Sequence, residues 1–289
     1  MPGLFKRLTK KIFRRDRKVK IPLVRLQGVI QAGGSQFRPA LNLGNVEELL
    51  EKAFDFKKAP AVAIAINSPG GSPVQSRAIF FKIRALAKEK EKKVLVFVQD
   101  VAASGGYLIA LAGDEIIADP TSIVGSIGVI SGGFGFPELM KKLGVERRVY
   151  TAGENKSVLD PFLPEKQSDI DHLKSLQLDV HRVFIDMVKE RRAGKLAEDD
   201  RLFTGLFWSG EQGKELGLVD GLGDMLTELK LRYGEKLEIE TIEASKGFVG
   251  RFISGRKGSV EPQAAIGAGI AGGAIETAEE RLWWGRYGL

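Results

Sequence analysis

The chain predicts an α/β protein whose largely parallel sheet is covered on both faces. Three features carry that prediction. Uniformly apolar runs of strand length recur at 61–66 and 94–98. Stretches with helical periodicity alternate with them, at about 45–54 and 74–90. Glycine-rich turns follow the runs, as Asn67-Ser68-Pro69-Gly70-Gly71 and Ser104-Gly105-Gly106, at the sheet edge where such folds carry their sites.

Residues 1–19 form a basic extension. Nine Lys and Arg against one acid, Asp16, fall within residues 1–20. The whole chain carries a formal charge of +7, so the remainder is close to neutral, and the overall basicity is no argument for nucleic acid. Leu4, Phe5, Leu8 and Ile12 recur at helical spacing among the cations, the pattern of a helix lying on an anionic membrane surface. A solubilising tail, a transit peptide and a nucleic-acid arm are the alternatives. No apolar h-region follows the charges, and no run reaches the roughly 18 apolar residues that span a bilayer. The expected location is peripheral on a membrane, or cytoplasmic.

A strand follows from Lys20 towards Ile30. Gly33, Gly34 and Pro39 mark a loop, and Asn45 is the predicted N-cap of a helix running past Phe54. The run 94–98 leads to Ser104, and a tightly packed helix starts near Tyr107. Next come a short strand at 115–118, a glycine-rich strand at 124–130, a short helix at 137–143 and a strand at 147–150. One long helix at 165–192 shows a stripe of Ile170, Leu173, Leu176, Val180, Phe184 and Met187. Helical segments at 211–216 and 225–233 and a strand at 237–242 complete a domain expected over 20–245. Residues 246–289 hold a Gly/Ala-rich run and Trp283-Trp284, and are expected to be mobile or to make an oligomer or membrane contact.

With 289 residues, 43% of them apolar and 28% charged, the chain can build a sizeable core. The absence of cysteine excludes disulfides, thiolate metal sites, iron–sulfur clusters and a cysteine nucleophile. Two histidines do not furnish a multi-histidine metal centre, and neither a metal nor another cofactor is expected.

Ser104 is the candidate nucleophile. It stands at a strand-to-helix turn before two glycines, where a hydroxyl is exposed and helix amides face developing negative charge. A serine needs a base. His172 and His181 flank the stripe of the long helix among charged neighbours, as exposed surface residues do, which disfavours a Ser-His-Asp triad. A neutral lysine is the other economical base, because burial disfavours the ammonium. Lys156, in Gly153-Glu154-Asn155-Lys156-Ser157 ahead of Asp160-Pro161-Phe162, stands apart from the basic runs and is the candidate. A glycine amide of the Asn67 to Gly71 turn and the amide of Gly105, at the ends of neighbouring strands, are the candidate oxyanion donors.

In order, Asn67 to Gly71, Ala103-Ser104-Gly105-Gly106-Tyr107, Gly125-Ser126-Ile127-Gly128-Val129, Lys156 with Asp160-Pro161-Phe162, and Glu215-Leu216-Gly217-Leu218-Val219-Asp220 resemble the signal peptide peptidase A family of serine proteases. The resemblance covers roughly residues 20–242. It implies a Clp protease/crotonase-like fold with repeated β-β-α units. It also implies a Ser–Lys endopeptidase acting through an acyl-enzyme, with Ser104 as nucleophile, Lys156 as base, Ser126 orienting the lysine amine and Gly70 and Gly105 as the oxyanion donors. The implied partners are hydrophobic, signal-peptide-like peptides and copies of the chain in a ring or dome, with no nucleic acid. The 52-residue separation of Ser104 and Lys156 is similar to that of the short family members. Asp160 stands where a glutamate is frequent, Asn155 where an aromatic is frequent, and the family's usual N-terminal anchor is not visible. A crotonase-like acyl-CoA enzyme and a non-catalytic membrane scaffold are the rival readings.

Overall fold

The computed structural model describes residues 18–33, 40–243 and 281–289. The amphipathic pattern before residue 18 and the Gly/Ala-rich run of the tail lie outside them. Strand β1 (Lys20–Gln27) is followed by helix α1 (Leu43–Asp55), β2 (Ala61–Ser68), α2 (Pro73–Glu89), β3 (Lys93–Ala103) and the six-residue α3 (Gly105–Ala110). Then come β4 (Glu115–Ala118), β5 (Ile123–Gly125), α4 (Pro137–Leu143) and the long α5 (Gln167–Arg191). A 3-10 turn at Asp200–Phe203 leads to β6 (Phe207–Ser209), α6 (Gly210–Glu215), β7 (Gly221–Leu222), α7 (Met225–Tyr233) and β8 (Glu238–Thr241).

The strands form one sheet in the order β6-β5-β3-β2-β1-β8, parallel except for the β5–β6 pair. Strand β3 is long enough to serve two neighbours on one edge. Leu95–Val98 pair with β4, and Val101–Ala103 pair with β5. β2 explains why its sequence is apolar throughout. Val62, Ile64 and Ile66 join the large core beneath α1, α2 and α3, while Ala61, Ala63 and Ala65 lie on the opposite face with Ile21, Leu95, Phe97 and Leu229 of α7. Small residues on the second face let a single short helix approach closely.

Several predicted boundaries move. The N-cap of α1 is Asn42, whose extended backbone lets its side chain accept from the Asn45 amide at 3.0 Å. Asn45 lies inside the first turn and donates to the Ala40 carbonyl. β1 ends at Gln27, and Ile30 makes only isolated bridges to Leu41 and Gly71. The glycine-rich strand expected at 124–130 is three residues long, because Ser126 turns the chain to a positive φ of 52°. Residues 147–150 form no strand; they are exposed and find no sheet edge to pair with. Helix α5 buries only Phe184, Met187 and Val188 near its C-terminal end. Its N-terminal part and the preceding segment expose Phe134 (75%), Tyr150 (91%) and Leu178 (67%).

Candidate active site

Three strand ends bring the site together. The β2–β3 register sets Ser68 beside Ala102, and the β3–β5 register sets Ala103 beside Gly125. The next residues, Pro69-Gly70, Ser104 and Ser126, therefore leave the sheet side by side. Ser104 adopts φ 51° and ψ −120°, and Ser126 has φ 52°. Such backbone costs a non-glycine residue about 1–3 kcal/mol and persists only where its surroundings over-determine it. The Ser104 amide donates to Gly125 O at 2.8 Å, its carbonyl accepts from the Leu108 amide at 2.9 Å, and the Ser126 amide donates to Leu206 O at 2.8 Å. The half-buried Ser104 side chain makes no capping bond to α3, which leaves the hydroxyl for other chemistry.

The glycines are there for close approach. Gly70 has φ +106°, and a Cβ on it would lie 2.8 Å from Ser104 Cβ and 2.9 Å from Gly105 N. A Cβ on Gly105 would collide with the Ser76 hydroxyl. The Gly70 amide donates to Ser68 Oγ at 3.2 Å in this arrangement. Gly71, which the sequence argument did not single out, borders the same space: its amide nitrogen lies 3.4 Å from the position of a Gly105 Cβ. The doubled glycine was the signal for it.

A cavity of about 130 Å³ opens beside Ser104, lined among others by Val74, Leu108, Val129, Val180 and Phe184, with Arg77 the sole charged residue on its wall among the described residues. Helix α5 supplies part of this wall, a role its apolar stripe did not reveal. His181, expected to be solvent-exposed, is half-buried, with Nε2 3.0 Å from the Ile127 carbonyl. A carbonyl only accepts, so Nε2 carries the proton and donates there, which removes that nitrogen as a base for Ser104. His172 is exposed.

Lys156 makes no hydrogen bond to Ser104 or Ser126. Its side chain is exposed and has no hydrogen-bond or ion-pair partner among the described residues. Its loop is tied down nearby: Asp160 accepts from the Phe162 amide at 3.0 Å and from Arg147 Nε at 3.0 Å, and the Arg147 guanidinium lies 4.9 Å from the Phe162 ring centre. The Phe162 amide first, and Arg147 after it, hold the Asp160 carboxyl below its ordinary pKa. Next to Ser126 stands a side chain from far along the chain. The Tyr287 hydroxyl is 3.2 Å from Ser126 Oγ and 3.4 Å from the Pro69 carbonyl. Among the described residues, no group of three or more His, Asp or Glu could hold a metal ion.

Behind the site, the Tyr107 hydroxyl donates to Leu218 O at 2.8 Å. Arg192 donates to Gly217 O at 2.7 Å and to Asp220 at 2.7 Å, and Asp220 also accepts from Lys195 and from the Ile116 amide. Burial alone would raise the Asp220 pKa, but these bonds and the Arg192 charge outweigh it and leave the carboxyl below its ordinary value.

The family model for peptidase family S49 matches residues 86–236, just over half of the chain. A Brucella melitensis protein called Na(+)/H(+) antiporter NhaA is 60% identical over 292 residues; the match spans all of this chain but 39% of the relative's own length. A putative protease of Synechocystis is 34% identical over 255 residues, 84% of this chain and 86% of that protein. Among solved structures, a mutant of the 1510-N membrane-bound stomatin-specific protease aligns with a TM-score of 0.50 at 17% identity, covering 79% of this chain and 100% of that one, which is a likeness of fold. The family model and the Synechocystis relative together establish that the chain belongs to peptidase family S49.

Proposed function

We propose that the chain is a Ser–Lys endopeptidase that cleaves hydrophobic, extended peptides such as released signal peptides. The observation that carries the reading is the convergence of Ser104, in strained backbone at the end of β3, with Ser126 and the Gly70 turn at the ends of the two adjacent strands. Lys156 moves in with its loop and is held by Ser126; among the described residues it has no partner to give up first. Its neutral amine takes the Ser104 proton as Oγ attacks the scissile carbonyl. The amides of Gly105 and of the Gly70-Gly71 turn hold the oxyanion, the lysine returns the proton to the leaving amine, and water then hydrolyses the ester. The apolar cavity beside Ser104 supports a hydrophobic side chain next to the scissile bond.

The name antiporter belongs to a protein of which this chain matches 39%, while the matching family model is a peptidase one. No described helix is long and apolar enough to cross a membrane. The catalytic unit is residues 20–245, with the basic extension holding it on an anionic membrane surface. The exposed apolar side chains of the 130–180 arm support assembly of several copies around a shared site. Hydrolysis of a fluorogenic hydrophobic peptide by wild type, Ser104→Ala and Lys156→Met tests the dyad. Loss of at least about 10³-fold in kcat/KM is expected for each substitution, on the scale of other catalytic serines and bases. Equal activity in all three proteins overturns it.

A further inference from the structure

The C-terminal residues 281–289 are packed onto the active-site edge. Residues 281–285 are helical, and the chain then turns back, with the Tyr287 and Leu289 amides donating to Trp284 O at 2.9 and 3.3 Å. Trp284 packs against the cluster of Val101, Ala103 and Tyr287, which includes the residue immediately before Ser104. Leu289 lines a cavity with Phe97, Asp100 and Ser122 near the end of β3. Tyr287 is 7% exposed, with its ring edge-on to Phe207 at 5.1 Å and its hydroxyl on Ser126 Oγ and the Pro69 carbonyl. Ser126 beneath it is 6% exposed. An amine cannot reach Ser126 from solvent while the ring is seated there.

We infer that residues 281–289 are an inhibitory plug of the chain's own active site, with the Tyr287 hydroxyl occupying the place on Ser126 that the Lys156 amine takes in the active state. The inference rests on the Ser–Lys reading, and it accounts for two otherwise separate observations: Lys156 is without a partner among the described residues, and Ser126 has an aromatic one from 161 residues away. The plug and the lysine exclude each other, so the chain has a closed state with Tyr287 seated and an open state with Lys156 docked. A plug seated in about nine molecules of ten closes the site about tenfold, a bias of about 1.4 kcal/mol towards the closed state.

The test uses the full chain carrying Trp284→Ala and Tyr287→Ala together, checked for wild-type melting. It is expected to hydrolyse a fluorogenic hydrophobic peptide about tenfold faster than wild type. A synthetic nonapeptide of residues 281–289 added in trans should return it to the wild-type rate, while the same peptide with Tyr287→Ala should not. Tyr287→Phe keeps the ring and deletes one hydrogen bond of about 1 kcal/mol, for an activation of up to about fivefold. A separate arm measures anisotropy of the labelled nonapeptide on the Ser104→Ala form of the double variant, where saturable binding is expected without any catalysis. Where wild type cleaves the peptide, unchanged or lower activity in the folded double variant overturns the plug, and so does an absence of nonapeptide binding. If the nonapeptide binds but neither wild type nor the unplugged chain cleaves peptides, the peptidase reading has failed and the plug site stands. If peptides are cleaved but the nonapeptide neither binds nor inhibits, the plug alone has failed.

Discussion

Ser104 and Gly70 hold each other in place through backbone shape. Gly70 occupies a left-handed φ, and a side chain there would press on Ser104 Cβ and the Gly105 amide. Gly70→Ala is therefore expected to shift the nucleophile and the oxyanion donors together. The cost is about 10²–10³-fold in kcat/KM, the loss typical of one missing oxyanion donor, with little change in KM. Steady-state kinetics beside a melting curve separates this from unfolding. Tyr107, fully buried, loses one hydrogen bond to Leu218 O in Tyr107→Phe. A cost of about 1 kcal/mol is expected, or about 2–4 °C in Tm for a domain of this size, by thermal melting. Gly70, Ser104 and Gly105 were legible as residue types at strand ends. Tyr287 was not, because nothing local marks a residue that meets its partner 161 positions away.

At the scale of elements, the C-terminal end of α5 is locked to the sheet by one buried pair. Arg192 is 3% exposed and reaches both Gly217 O and Asp220, which also accepts the Ile116 amide of β4. Asp220→Ala leaves the guanidinium buried without its counter-charge, and a loss of about 3–5 kcal/mol in denaturant unfolding is expected. The pair also sets an acid dependence. Asp220 has a folded pKa below the ordinary carboxylate value near 4, so its contribution is complete above about pH 4. It is lost as pH falls through the lower folded value. A melting series from pH 7 to pH 2 is expected to fall more steeply below pH 4 for wild type than for Asp220→Asn. Helices α1, α2, α5 and α7 were legible from their periodicity to within a few residues. The strand expected at 147–150 was not real, because strand propensity needs a neighbour and the sheet offers no edge there.

For the whole molecule, what stands out is an arm without cover. Residues 130–180 present Phe134, Leu176 and Leu178 to solvent, while α5 buries Phe184, Met187 and Val188 near its C-terminal end. A second copy of the chain is the proposed cover. Leu176→Glu with Leu178→Glu is expected to reduce the assembly to monomer in sedimentation velocity without lowering the melting temperature of the core domain. A change in core stability with unchanged assembly would contradict it.

The α/β class, most of the order of elements and the identity of the glycine turns followed from the sequence alone, because burial on both faces, helical periodicity and turn chemistry act over a few residues; the short strands β6 and β7 did not, and the strand expected at 147–150 is absent. Tertiary structure alone decided what meets across the sheet edge. The register of β2, β3 and β5 aligns Gly70, Ser104 and Ser126, α5 walls the apolar cavity, and Tyr287 rather than Lys156 sits on Ser126. Those contacts join residues tens to more than a hundred positions apart. No local pattern encodes them; they depend on which buried surfaces fit when the whole chain closes.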